Sequence, residues 1–446
     1  MIGKFNSTIC VFLMAMSMVM AQNHKNNKHS PNIIIIVADD LGWNDVGFHN
    51  PEIISPNLNK LARQGVELSR FYVASICSPT RVGLLTGKYP DRFGLRDDVI
   101  RPGRVGGLPL TEKTIANVLA DAGYTKRGAF GKWHLGHSDI RYHPLNRGFT
   151  EFYGHYNGAI DYFTHFRDGQ LDWHRNFDVN RDSGYAVDLV AEETIRFINK
   201  ASKDNKPFFA YVAFNGVHAP LEAKKEDLLK NGFDPTKGVS PRQTYMAMVT
   251  GMDHAVGDIF QAVEKAGILD NTLIWFLSDN GGTPGSGGNN SPLRGNKNTE
   301  WEGGVRSTSV VYWKGKIEGG KKNKQVFSFV DVLPTIGAMA AAKKIPKGDG
   351  ENIWDALNGK LLKNRVIFLG RDAVVEGDWK LNKGQLFNLA VDTAEKENVA
   401  LIHRHEFDKL NRALTAFKKW ALPFSLPKQP DGWLPPENWT MPVLSR

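Results

Sequence analysis

The sequence predicts an α/β domain built on a largely parallel sheet, followed by a smaller C-terminal α+β domain. Three observations carry this expectation. Ile33-Ile34-Ile35-Ile36-Val37-Ala38 is a continuous apolar run, and residues 208–214 and 273–277 repeat the pattern; such runs mark strands buried on both faces, as in parallel sheets. Helical patterns at 111–122, 187–199 and 245–266 are interspersed with them, the order expected of βα units. After Lys344 the texture changes to short strands and one terminal helix.

From the N-terminus, Lys4 followed by an uncharged stretch from Thr8 to Ala21, with Val19 and Ala21 at −3 and −1 of a cleavage site, predicts a signal peptide over residues 1–21. The protein is therefore expected to be exported, to the periplasm or the medium. The apolar run is too short for a comfortable span, Cys10 stands too early for a lipoprotein box, and no later stretch is apolar enough to cross a bilayer, so no stable membrane anchor is expected. Cleavage would leave Cys77 as the single cysteine, which excludes an intramolecular disulfide and makes that thiol a residue to explain. The formal charge of +9 suits an anionic partner; without an RRM, zinc-finger or helix-turn-helix signature, no nucleic acid is expected.

The apolar run at 33–38 ends in Asp39-Asp40, and the run at 273–277 ends in Ser278-Asp279-Asn280. Ligands of open α/β sheets gather outside the carboxyl ends of strands, so these three carboxylates and one amide can share a site. The α/β domain is read as residues 32–344. In the second unit, residues 345–446, Val366-Ile367-Phe368-Leu369 begins a set of short strands that continues through 373–388. A helix over 395–420 and a Pro- and Trp-rich coil on the surface complete it. Two further segments carry alternatives. Arg92, Arg96, Arg101 and Arg104, diluted by Asp97 and Asp98, form a cationic rim or a solvated loop. Residues 153–165, with His155, Tyr156, Asp161, Tyr162 and His165, suit a sugar or pack as an ordinary loop.

Cys77-Ser78-Pro79-Thr80-Arg81 opens a helix, with Pro79 in its first turn; a thiol at a helix N-terminus is expected to be acidified. This Cys-x-Pro-x-Arg, with Leu84-Leu85-Thr86-Gly87, resembles the signature of the type I sulfatases. Gly131-Lys132-Trp133-His134-Leu135-Gly136 is similar to the family's second signature. Asp39-Asp40-Leu41-Gly42, Ser278-Asp279-Asn280-Gly281-Gly282, Gly295-x-Lys297 with Glu302-Gly303-Gly304, and His218 in Gly216-Val217-His218-Ala219-Pro220 follow in order. Gly377-Asp378-Trp379-Lys380-Leu381 and Leu386-Phe387-Asn388-Leu389 extend the likeness into the second unit, so that it covers residues 32–401. Gly42-Trp43-Asn44-Asp45-Val46-Gly47 and Gly148-Phe149 look most like the arylsulfatase B group.

The resemblance implies an alkaline-phosphatase-like fold and hydrolysis of sulfate esters on a sulfated polysaccharide or oligosaccharide: an algal carrageenan or ulvan, or a glycosaminoglycan. It implies formylglycine at position 77, made from Cys77 by a formylglycine-generating enzyme. It also implies one Ca²⁺, with Mg²⁺ as the alternative, held by Asp39, Asp40, Asp279, Asn280 and residue 77. An all-oxygen set without soft ligands suits these hard cations. Arg81 and Lys132 would orient the hydrate, and His134 would be the base. His218 and Lys297 would contact the sulfate and assist the leaving oxygen. One hydroxyl of the hydrate attacks sulfur and the other expels sulfate, an exit closed to an ordinary serine. Two rivals remain: a formylglycine-dependent phosphodiester or phosphonate hydrolase, and an inactive binder of sulfated glycans.

Overall fold

Alternate residues of the first apolar run serve opposite layers. Ile33, Ile35 and Val37 belong to one buried cluster, and Ile34, Ile36 and Ala38 to the other, as the two-residue period of a strand requires. The protein, described here from a computed structural model over residues 30–204 and 206–443, is organised around this strand. The signal-peptide expectation lies outside the described residues.

The central sheet has ten strands: β1 (Asn32–Ala38), β2 (Val66–Leu68), β3 (Lys126–Lys132), β4 (Glu151–His155), β5 (His174–Arg175), β6 (Asp178–Val179), β7 (Phe208–Ala213), β8 (Thr272–Ser278), β9 (Ser309–Tyr312) and β10 (Lys321–Asn323). Their order is β10-β2-β9-β8-β1-β7-β3-β4-β5-β6. The five strands from β8 to β4 are mutually parallel, and antiparallel pairs flank them at β8–β9 and β4–β5. One face is covered by α2 (Cys77–Thr86), α3 (Ile115–Asp121) and α6 (Val332–Met339), the other by α1 (Pro56–Gln64), α4 (Ala186–Ala201) and α5 (Pro241–Lys265).

The expected helices are present with shifted starts. Thr114 caps α3 through a reciprocal hydrogen-bond pair with Asn117, so residues 111–113 stay outside. Ser240 caps α5 in the same way, so that the helix starts at Pro241, four residues before the apolar pattern does.

The second unit is an antiparallel sheet of β11 (Ile367–Phe368), β12 (Ala373–Glu376), β13 (Trp379–Asn382) and β14 (Gln385–Asn388), packed on α7 (Arg404–Lys418). The fold class is therefore α/β with a largely parallel sheet and a small antiparallel sheet near the C-terminus.

Two expectations need correction here. The terminal helix begins at Arg404, not 395, because Glu395 is buried with φ +52° and its carboxylate meets the Lys380 ammonium at 2.9 Å. Lys380, itself fully buried, also meets Glu302 at 2.9 Å, and the Tyr72 hydroxyl donates to Glu302 at 3.0 Å. This pairing satisfies charges that would be costly to bury alone. It also ties the C-terminal sheet to the 294–305 stretch, which carries Lys297. The tail is coil, but it is not confined to the surface. Trp439 is buried and donates its indole N–H to the Arg167 carbonyl at 2.9 Å, because a tryptophan that finds both an apolar wall and an acceptor buries readily. No described helix is long and apolar enough to cross a membrane.

Candidate active site

Four adjacent parallel strands end in one row. Val37 of β1 pairs with Ala213 of β7, which pairs with Gly131 of β3, while Ala38 pairs with Ser278 of β8. The next residues along these strands include Asp39, Lys132 and Asp279. Asp39 N–H donates to Gly216 O at 2.9 Å, and Val217 N–H donates to Asp39 O at 2.8 Å. These bonds tether the turn bearing His218 to the end of β1. Cys77 is the first residue of α2, a helix buried on every side, as a helix inside a domain core must be.

Every residue expected in the site converges here. The Arg81 guanidinium donates to Asp279 Oδ2 through Nε (3.0 Å) and Nη2 (2.7 Å), and to Lys132 O through Nη1 (3.1 Å). Lys132 Nζ donates to Asp39 Oδ2 at 2.6 Å. Lys297 Nζ reaches both Asp40 oxygens at 2.7 and 2.8 Å, and His218 Nε2 stands 3.7 Å from Asp40 Oδ2. Asn280 Nδ2 donates to Asp40 Oδ1 at 2.8 Å. Cys77 Sγ lies 3.4 Å from His134 Nδ1. Asp40 and His134 both adopt left-handed backbone, at φ 61° and 55°. This costs a non-glycine residue about 1–3 kcal/mol and recurs where function demands a geometry.

The electrostatics follow from burial and the density of charge. Burial, helped by the nearby Asp279, raises Asp39 to about 7 against the pull of Lys132 and Arg81. Asp40 is buried too, yet the charges of His218 and Lys297 hold it below the usual carboxylate range. Burial and the charges of Lys132 and Arg81 depress His134 strongly, so it is neutral. Burial, with Lys132 and Lys297 adding to it, brings His218 to about 4. The expectation of an acidified thiol is reversed: burial pushes Cys77 up, and Asp39 and Asp279 reinforce it. An unmodified Cys77 is therefore a poor nucleophile here.

Ligand atoms of Asp39, Cys77 and Asp279 lie within 4.8 Å of one another, as do those of Asp39, Asp40 and His218. Asp39 Oδ1 and Asn280 Oδ1 are fully buried without a hydrogen-bond partner among the described residues. Orphaned oxygens of this kind, in a set of carboxylates and one amide, fit a hard cation such as Ca²⁺.

Several residues that hold the site were not placed there by the sequence. The Tyr245 hydroxyl donates to Asp40 O (2.8 Å) and accepts from Gly42 N–H (3.1 Å), fixing the turn at Asp40. The Tyr162 hydroxyl bonds Asn215 O and His218 O at 2.6 and 2.7 Å. Asn290 clamps Gly282 through both its backbone N–H and its carbonyl. Each reads as an ordinary core or loop residue until the chain folds.

The two ambiguous segments are settled by their contacts. Arg92 pairs with Asp349, Arg96 with Asp91, and Arg101 and Arg104 share Asp98, so each of the four arginines already has a carboxylate partner. In 153–165, His155, Tyr156, Tyr162 and His165 are all buried, and the segment packs on the domain.

Gly158 closes on the site from that segment. A Cβ there would lie 2.4 Å from His134 Cε1 and 2.5 Å from Nε2, while its own backbone lies outside the left-handed region. Gly158→Ala is therefore expected to displace the imidazole without straining the chain. A misplacement of about 1 Å costs on the order of 10²-fold in rate. Steady-state kinetics should show the loss in kcat with KM little changed, and a melting curve close to wild type. Unchanged kcat would separate Gly158 from the chemistry.

The chain is similar to several known proteins. The sulfatase family model matches residues 31–342. Mouse arylsulfatase J is 34% identical over 380 residues, covering 82% of this chain, which spans only 62% of that relative's length. Dog N-acetylgalactosamine-6-sulfatase is 32% identical over 414 residues, covering 84% of this chain and 77% of its own. The solved structure of Ps i-CgsB in complex with k-i-k-neocarrahexaose superposes with a TM-score of 0.81 at 32% identity, covering 89% of this chain and 94% of the other.

Proposed function

The chain belongs to the sulfatase family of sulfuric ester hydrolases, and on that premise we propose that it removes sulfate esters from a sulfated polysaccharide or oligosaccharide. The observation that carries this reading is the gathering of Cys77, Asp39 and Asp279 within 4.8 Å, with Lys132, His134, His218 and Lys297 around them. A glycan substrate is supported by two relatives: Ps i-CgsB, solved with a neocarrahexaose, and N-acetylgalactosamine-6-sulfatase, whose name specifies a sulfated amino sugar.

Asp39, Asp40, Asp279 and Asn280 would hold Ca²⁺, whose charge favours a sulfate oxygen bound there. A formylglycine at position 77 would supply, as its hydrate, two hydroxyls on one carbon, one to attack sulfur and one to expel sulfate. The chain's own residues do the rest. Arg81 is immobilised by Asp279 and keeps positive charge beside residue 77. Lys132 places a second charge on the same side. Neutral His134, with Nδ1 toward residue 77, takes the proton that frees sulfate. His218 and Lys297 both stand against the Asp40 carboxylate and would support the departing alkoxide.

The test is release of inorganic sulfate, by ion chromatography, from carrageenan, ulvan and chondroitin sulfate, with a phosphodiester and a phosphonate ester alongside. At least one glycan should exceed both phosphorus esters by about 100-fold or more in kcat/KM, close to 3 kcal/mol of transition-state discrimination. Preference for the phosphodiester would replace the sulfatase reading with its rival.

A further inference from the structure

We infer that the protein carries a second anion site, remote from the reaction centre, that binds another sulfated stretch of the same glycan; the inference rests on the proposed function. The site is a cavity of about 690 Å³ between the edge of the central sheet and the C-terminal sheet. It is lined by Arg70, Lys321, Lys322, Lys324, Lys363 and Arg365 against two carboxylates, Glu318 and Asp378.

The six cations are not equivalent. Arg70 is spent on Asp378 and the Gly377 carbonyl, and Arg365 is spent on Asp331. Lys321 pairs with Glu318, and Lys322 with Glu67 at 3.0 Å. Lysines on an edge strand also guard against unwanted sheet extension, which accounts for Lys321 and Lys322 in β10. It does not account for Lys324 and Lys363. They lie beyond the strand and in a separate loop; both are exposed, and neither has a carboxylate partner among the described residues. Two uncompensated ammonium groups thus face one concavity whose other cations are already arranged around it. At these two lysines an entering anion meets uncompensated positive charge with no ion pair to break.

The position of the cavity selects the ligand. Lys322 pairs with Glu67, Glu67 with Val310, and Val310 with Phe276. β10 runs parallel to β2, and β2 and β8 are both antiparallel to β9, so β10 and β8 point the same way. Lys324, two residues beyond Lys322, is therefore level with Ser278, next to Asp279. The cavity and the reaction centre lie at the same end of the sheet. They are three strands apart, about 14 Å at ordinary strand spacing. A polymer with repeated sulfate groups can occupy both; a monosaccharide sulfate cannot. Sulfated glycan is favoured over nucleic acid because the catalytic centre at that end belongs to a sulfatase.

The test compares the full chain as Cys77→Ala with the same chain carrying Lys324→Glu and Lys363→Glu. Affinity electrophoresis with carrageenan and with chondroitin sulfate, their desulfated forms, a sulfated disaccharide and single-stranded DNA reads the binding. The charge reversals should weaken binding of the sulfated polymers by about tenfold, since two exposed charge contacts each contribute modestly. They should also flatten its salt dependence. Disaccharide binding and the melting curve should stay unchanged, and desulfated chains should bind neither protein. In the Cys77 background, Lys324→Glu/Lys363→Glu should lower kcat/KM on polymer while sparing 4-nitrocatechol sulfate. Unchanged polymer binding overturns the proposal, and so does DNA binding as strong as sulfated glycan, which would mark a general polyanion patch. If the wild type releases no sulfate from any glycan, the proposed function fails, yet the binding comparison still reports on the cavity.

Discussion

Active protein is expected to carry formylglycine at position 77, and Cys77→Ser or Cys77→Ala to lose turnover by on the order of 10⁶-fold, as loss of a nucleophile does in other hydrolases. The argument starts from position. Residue 77 opens a fully buried helix, and its side chain lies 3.4 Å from a neutral histidine. Burial raises the thiol, so an unmodified cysteine would present little thiolate at neutral pH. The aldehyde hydrate needs no thiolate, and its second hydroxyl offers a way out of a covalent sulfate that serine lacks. Peptide mass spectrometry across residue 77, confirmed by hydrazine trapping, reads the modification directly. Cys77→Ala removes one small buried group and should fold normally, and it also excludes rescue by conversion of a serine. Fully active enzyme with only free thiol at this position would falsify the mechanism.

The second large effect is expected at the cation site. Asp279→Ala should abolish activity, but it should also destabilise the protein by about 3–5 kcal/mol. Arg81 is fully buried, and Asp279 is its closest carboxylate partner, so truncation strands a buried charge. Asp279→Asn keeps a hydrogen-bond acceptor for Arg81 while removing the anionic ligand, and so isolates the cation's role. Chelator-treated wild type should lose activity and regain it with Ca²⁺. Its melting temperature should rise with Ca²⁺, since a ligand at 100 times its Kd stabilises by about 2.7 kcal/mol. Asp279→Asn should show neither response. Full activity after rigorous metal stripping, or the same thermal shift in Asp279→Asn, would remove the cation from the mechanism.

Much of this centre was legible in the chain itself. The isoleucine run at 33–36 reads as a strand buried on both faces, and Asp39-Asp40 and Asp279-Asn280, which end it and the 273–277 run, stood where one site could form. Pro79, tolerated only near a helix start, placed Cys77 at an N-terminus and Arg81 one turn on. These readings hold because backbone period and proline geometry are local. What stayed hidden was decided by partners distant in sequence. Lys126–Lys132 has two glycines and no β-branched residue, yet it is a central strand because the ladders of its two neighbours hold it there. Glu395 leaves the helix expected over 395–420 because pairing with a buried Lys380 outweighs helix propensity. The four arginines of 92–104 read equally as a rim or a solvated loop until folding brings the distant Asp349 against Arg92. Lys324 and Lys363 gain meaning only because the C-terminal sheet docks beside β10. Local periodicity is written into a sequence, but the pairing of charges depends on which surfaces meet, and that is decided by the tertiary structure alone.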